Sequence, residues 1–486
     1  MISKKTIAAF LLFFAFVGTM GMKVLAQQSA NDLMASQAWD MLIKMSETEM
    51  EKSSGDIKAT HIVNAAYGYY KKGKLLLTAY DFSLNLCSLY YDCRYNAHNT
   101  GDVYLDFFHG IVLATKGNEP QAIQKLNAFT KEATDKSFSQ KAKIWLGLLY
   151  NALGKKGEQE KVWSELDWND ESIALERAAI SSIVLKKGDS YSSRKPKDIT
   201  AQSVVRNVAL CLPILTTCSL EEKKKILSNI RIATPSVDNK KGKSYEIYYD
   251  PLSLMAASQC ALSIGADYLK EYLKTYGVKD KSNQMYAKAR FSYAEILFLL
   301  GNYDEAKSEL QNIQHELSAA LLGAVLFQMG DTDGANKRWA SVEKEGSRKA
   351  QLYLVSLYSM LGTNLVKAEA ISNRIGRETT GGNNISQEEY QWLASIFERK
   401  KDFQRAVDIY RQGYRIQFDG KIHQKFGNDA IFVLQYANAL ELLDRNGVFT
   451  VNLMLNALRV RYGSFGEILQ EQSTSFGACI DPNNSK

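Results

Sequence analysis

One short pattern, repeated along the chain, limits what it can fold into. Four segments carry it: Ala114–Leu126 (ATKGNEPQAIQKL), Leu299–Leu310 (LLGNYDEAKSEL), Phe327–Trp339 (FQMGDTDGANKRW) and Glu398–Tyr410 (ERKKDFQRAVDIY). In each, a turn residue (Gly117, Gly301, Gly330 or Lys401) is followed five positions later by Ala122, Ala306, Ala335 or Ala406. Seven positions before the turn stands another small residue: Gly110, Ala294, Gly323 or Ala394. The earlier small residue lets two antiparallel helices approach closely, and the turn residue takes the left-handed conformation that ends the first of them. The later Ala lets the second helix fold back without a bulky side chain in the way. Asn118 and Asp331 stand where an N-cap is expected, with Pro120 in a first helical turn that needs no N–H from it.

Between these turns, apolar residues recur at helical spacing nearly everywhere, in paired stretches of about ten to eighteen residues. Leu146-Gly147-x-x-Tyr150-x-x-x-Gly154 adds a further copy, and weaker ones centre on Gly73, Gly265, Gly362 and Gly447. The pattern resembles the tetratricopeptide repeat (TPR) family, a helix–turn–helix unit of about 34 residues. That resemblance implies an all-α fold, an α-solenoid of antiparallel helix pairs forming a TPR-like superhelix. The chain is read as an exported bacterial member, and its departures from the pattern point to degenerate repeats with uneven curvature. Gly73 to Gly117 is 44 residues but Gly301 to Gly330 only 29, and the proline that often closes the family's repeat is missing. Gln159 stands where Ala should follow Gly154, and Ala368 falls six residues after Gly362 instead of five.

Composition agrees with helix. Only 6 prolines in 486 residues leave little material for the turns of an all-β chain. With 45% hydrophobic and 23% charged residues the chain is neither disordered nor a small disulfide scaffold. A mean hydropathy of −0.26 excludes a multi-spanning membrane protein. The net charge of +7 is interleaved with acid, as in SLEEKKKILSNIR, and forms no basic stripe of the kind that reads nucleic acid.

Residues 1–26 read as a signal peptide: Lys4 and Lys5, an apolar stretch from Thr6 to Met22, then Val24-Leu25-Ala26 with small residues where a signal peptidase cuts. The expected location is therefore outside the cytoplasm, in the periplasm or on the outer surface of a Gram-negative bacterium, with no membrane span after cleavage. The remaining chain divides into TPR-like repeats over 27–187, an irregular helical segment with linkers over 188–250, further TPR-like repeats over 251–472, and a loose tail over 473–486. A helix opening at Ser219, with Glu222 as its capping-box partner, lies in the middle segment. Cys87 and Cys93, like Cys211 and Cys218, are too far apart on a continuous helix for a bridge, so local disulfides would need a break such as Pro213.

No catalytic motif emerges. The five histidines are scattered, no HExxH or CxxC occurs, and no cofactor is implied. Gly242-Lys243-Ser244 lacks the first glycine of a phosphate-binding loop, since Val237 holds its place. Glu388 and Glu389 suit a helix start, where the macrodipole favours carboxylates. No metal site is expected.

The family resemblance implies that the first helices of successive repeats line a concave face. Its expected partner-binding positions are Tyr67, Tyr70, Tyr104, Phe107, Asn151, Phe291, Glu295, Phe298, Gln328 and Arg399. Chaperone-docking members hold a terminal carboxylate there with a Lys/Asn cluster, which is absent. Tyr and Phe offer large apolar area at small entropic cost, which suits an extended peptide or sugar rings, although aromatics at helical spacing also serve as core between repeats. The expected function is a non-catalytic protein–protein interaction scaffold or adaptor of the bacterial cell envelope. Its partners would be envelope proteins or peptides. The alternative is a glycan-binding surface or periplasmic protein using the same aromatic groove. An outer-membrane family of starch-utilisation type also builds on such repeats, but with a lipid-anchored Cys after the leader that this chain lacks.

Overall fold

The computed structural model describes residues 29–35, 38–98, 103–115, 117–134, 136–170, 173, 219–229, 233–235, 247–249, 251–276, 284–311, 313–379, 385–418 and 429–443. The leader, the 188–199 segment, Cys211, Cys218, Gly447 and the tail lie outside these residues, and the side chains of Cys87 and Cys93 lie outside the description too.

The described chain begins with α1 (Ala30–Ala35), α2 (Trp39–Lys52) and a 44-residue helix, α3 (Gly55–His98). Two hairpins follow: α4 (Val103–Thr115) with α5 (Glu119–Glu132), and α6 (Lys136–Ala152) with α7 (Lys156–Ser164). Helix α8 (Leu220–Asn229) precedes a two-stranded antiparallel ribbon, β1 (Ala233–Pro235) and β2 (Ile247–Tyr249), paired Ala233 to Tyr249. This ribbon, inside the stretch expected to be linker, is the only β structure among the described residues. After α9 (Pro251–Thr275), hairpins succeed one another: α10 (Gln284–Leu299) with α11 (Tyr303–Leu310), α12 (Ser318–Gln328) with α13 (Thr332–Glu345), and α14 (Arg348–Leu361) with α15 (Leu365–Thr379). Then come α16 (Gln387–Arg399) with α17 (Phe403–Phe418), and α18 (Ala430–Leu443). Successive first helices touch, α10 to α12, α12 to α14 and α14 to α16, as in a TPR-like α-solenoid.

Each turn executes the physics of the pattern. Gly117, Gly154, Gly301, Gly330, Gly362 and Lys401 all have φ between 63° and 87°. The following N–H reaches back five residues to the helix, as in Asn118 N to Leu113 O (2.9 Å), Asp331 N to Leu326 O (2.9 Å) and Asp402 N to Phe397 O (2.8 Å). These are the bonds of a Schellman end, which satisfy carbonyls left open by the helix. Asp331 caps as expected, accepting from Gly334 N at 2.9 Å. Asn118 does not cap, for its amide donates instead to Gln121 at 2.8 Å. At Gly362 a second left-handed residue, Asn364 (φ 50°), lengthens the turn by one, and this displaces Ala368 to the sixth position.

The offset rule has a third member that the turn pattern did not reveal. Nine residues after the turn stands a large side chain, buried at Leu126, Leu310, Trp339 and Tyr410 and half-buried at Trp163. It covers the small residue of the first helix. A Cβ added to Gly110 would meet Leu126 Cγ at 2.7 Å, and one added to Gly323 or Gly147 would overlap the indole of Trp339 or Trp163. Both indoles donate to the carbonyl three residues before the covered glycine, Trp339 to Ala320 O at 3.1 Å and Trp163 to Ile144 O at 3.4 Å. Small under large is what locks each hairpin.

Two expected turns are not turns. Gly73 lies within α3 and Gly265 within α9, and both serve close approach between these two helices. A Cβ on Gly73 would stand 2.6 Å from Leu262 Cγ and 2.9 Å from Ser258 O, and one on Gly265 3.2 Å from Ala66 O. Ser258 Oγ donates to Gly73 O at 2.7 Å across the same contact. Helix α3 thus runs unbroken against α9, and the later repeats close around it until α18 touches it too.

Candidate functional site

The inner face of the later repeats holds the chain's own α3. Tyr70 OH donates to Glu295 Oε2 of α10 at 2.7 Å, and Tyr353 OH of α14 donates to Oε1 of the same carboxylate at 3.2 Å. Lys74 Nζ donates to Tyr70 OH at 3.2 Å and lies 3.8 Å from Glu295. One helical turn away, Lys71 pairs with Glu388 of α16 at 3.6 Å. Residues three and four apart on α3 share a face, so Tyr67, Tyr70, Lys71 and Lys74 all project inward together.

The electrostatics follow from burial. Tyr70 and Tyr353 are held well above the usual phenol range, first by burial and then by the Glu295 charge, so both remain donors. Burial alone would lower the Lys71 ammonium, but Glu388, Tyr67, Asp429 and Glu295 together outweigh it and the group is held above its usual value. The reverse balance applies at Glu388: burial pushes upward, and Lys71, Lys74 and Lys349 together bring it below the ordinary carboxylate range.

Beside this contact lie two cavities. The first, about 460 Å³, is bounded by α3, α10, α14 and α16, with Tyr67, Phe291, His315, Tyr353 and Trp392 among its walls. His315 stacks on Phe291 with ring centres 4.1 Å apart, and Tyr353 meets Trp392 edge-on at 5.2 Å. The second, about 810 Å³, continues along α3 past Glu295, Tyr353 and Trp392 to Phe298, Ser359 and Arg399. Each is of the size that takes a small ligand or a few side chains of a peptide.

Of the expected positions, Tyr67, Tyr70, Phe291 and Glu295 line the first cavity, and Glu295, Phe298 and Arg399 line the second. Phe107 is elsewhere: it is buried between Phe129 of its own α4–α5 hairpin (5.1 Å) and Phe138 of α6 (5.2 Å). Asn151, half-buried near the end of α6, and Gln328, exposed at the end of α12, line neither cavity. Tyr104 belongs to α4, but its side chain lies outside the described residues. Sequence reasoning missed Lys71 and Lys74, because the expected turn at Gly73 put a break where α3 is continuous. It also missed Tyr353 and Trp392, and saw Glu388 only as a helix-start residue. Among the described residues no cluster of three or more His, Cys, Asp or Glu is placed to hold a metal. None of the described helices is long and apolar enough to cross a membrane.

The fold is an α-solenoid of antiparallel helix pairs. No family model matches the chain, and no curated protein matches it. Among solved structures it is similar to yeast Tom70, with 13% identity over 88% of this chain and 96% of that one and a TM-score of 0.31. It is also similar to the APC/C hetero-tetramer Cut9–Hcn1, with 13% identity over 93% and 98% and a TM-score of 0.29.

Proposed function

We propose that this chain is a non-catalytic scaffold or adaptor exported to the bacterial cell envelope, in the periplasm or at the outer surface. It binds envelope proteins or peptides on the inner face of the later repeats. The observation that carries the reading is the pair of neighbouring cavities left between α3 and the first helices of the repeats, with Glu295, Tyr353 and Trp392 lining both. They are walled by aromatic side chains and bordered by charge. Such walls bury large area with few rotamers to lose, as partner-binding surfaces do. Tyr67, Phe291, Glu295, Phe298 and Arg399 are the contacts assigned to this surface. The signal peptide over 1–26 supports export.

The test is a pull-down from envelope extracts with the full chain and with Arg399→Glu, an exposed change at the rim of the second cavity. A protein captured by the wild type and lost with the variant supports the scaffold. Retention on insoluble polysaccharide with no protein partner overturns it in favour of glycan binding.

A further inference from the structure

The hydrogen-bonding groups of the first cavity are unequal in what they have left to offer. Its two carboxylates are already engaged. Glu295 accepts from Tyr70 and Tyr353 and faces Lys74, and Glu388 is paired with Lys71. Of the remaining side chains, Asn64 and Ser292 can donate or accept, while Lys288, Lys349 and His315 donate. Lys288 is exposed at the rim on α10. Lys349, at the start of α14, acts on Glu388 and makes a surface pair with Glu316 at 3.5 Å, 44% and 46% exposed, which water weakens. His315 accepts from Leu317 N at Nδ1 (3.3 Å), so its neutral ring carries the proton on Nε2. Burial holds this imidazole below its usual value, which keeps it neutral.

A cavity with aromatic walls, both carboxylates facing lysines of α3 and further cations left at its rim is complementary to an anion with an apolar body. Resting on the scaffold reading, we propose that the first cavity takes an acidic peptide segment of a partner protein. A large apolar side chain would lie between Phe291, Tyr353 and Trp392, and a neighbouring carboxylate would meet Lys288, Lys349 and His315 Nε2. A neutral sugar would leave the rim lysines without a counter-charge, whereas a carboxylate supplies one. The site is composite. Tyr67 and Lys71 of α3 complete a wall that the repeats alone leave open.

The probe is a blocked tripeptide, acetyl-Glu-Trp-Glu-amide, titrated calorimetrically into the full chain beside its Gln-Trp-Gln and Lys-Trp-Lys counterparts. We expect only the acidic peptide to bind measurably, with affinity falling as salt rises, since rim charges are screened beyond about 8–10 Å at physiological strength. The double variant Lys288→Glu/Lys349→Glu should weaken it at least about tenfold. Both positions are at the surface, and an unchanged melting curve checks that the variant is folded. Equal binding of the three peptides, no binding of the acidic one, or an unaffected double variant overturns the assignment. So does binding of a uronic-acid oligosaccharide in place of the peptide. Capture of the envelope partner by the double variant overturns this assignment alone and leaves the scaffold standing. Loss of every partner from the wild type removes the scaffold.

Discussion

Tyr70 and Tyr353, from helices far apart in the sequence, donate to the two oxygens of one carboxylate, Glu295. The same arrangement recurs elsewhere. Glu47 accepts from Tyr69 (3.1 Å) and Tyr268 (2.8 Å) and pairs with Lys224 (3.0 Å). Glu343 accepts from Tyr358 (2.7 Å) and pairs with Lys367 (3.1 Å). Each carboxylate is made safe to shelter from water by a phenol and an ammonium.

Removing the shared acceptor should therefore hurt more than removing one donor. Glu295→Ala strands two buried hydroxyls and an ammonium and is expected to destabilise by about 2–4 kcal/mol, against about 1 kcal/mol for Tyr70→Phe. Urea unfolding of both, with the double variant, measures the difference. A Glu295→Ala effect no larger than that of Tyr70→Phe would contradict the shared-acceptor account.

Acid should loosen the hold of α16 on α3 and of α11 on α9 and α10. Glu388 and Glu305 both have carboxyls held below their ordinary range. At Glu305 burial opposes this, while the Tyr293 hydroxyl and Lys270 prevail. A depressed carboxyl stabilises the fold fully above its unfolded value of about 4.3, and that share is lost as pH falls through the lower folded value. Denaturation midpoints measured from pH 6 to pH 3 should fall, and Glu388→Gln should show a shallower fall than the wild type.

Two helical glycines should respond with opposite sign. Gly323→Ala drives a methyl into the Trp339 indole and is expected to destabilise by about 1–3 kcal/mol. Gly376→Ala, with nothing within 4 Å of the new methyl, should stabilise by about 0.5–1 kcal/mol. Thermal melts of the pair decide it.

Lys401 holds the left-handed turn position that glycine fills elsewhere, at φ 63°. Relief of that strain should exceed the extra freedom given to the unfolded chain. Lys401→Gly is thus expected to stabilise by up to about 1 kcal/mol, read as a rise in Tm. A fall in Tm would show that the lysine side chain contributes more than its backbone loses.

The hairpins were legible because their causes are local. A left-handed glycine and a small residue at a fixed offset can be seen without knowing what lies across the fold, and even the late Ala368 follows from one extra turn residue. Gly73 and Gly265 misled because glycine answers two demands, a turn and a close approach, and only the partner helix says which. For the same reason half of the first cavity was invisible. Phe291 and Glu295 followed from position within a repeat, but Tyr353 and Trp392 matter through α3, a contact between segments far apart in sequence. Phe107 shows the converse: an aromatic at a groove offset was drawn into the core by Phe129 of its own hairpin and Phe138 of the next.

Arrays of stacked hairpins ordinarily behave like springs, stretching and melting one unit at a time because each feels only its neighbours. Here α3 touches α9 at one end and α18 at the other, like an axle through a coil. Neither extension nor fraying of the later hairpins can then proceed without dislodging that shaft. The molecule trades elasticity for a fixed curvature, and what its inner face recognises is settled before any visitor arrives.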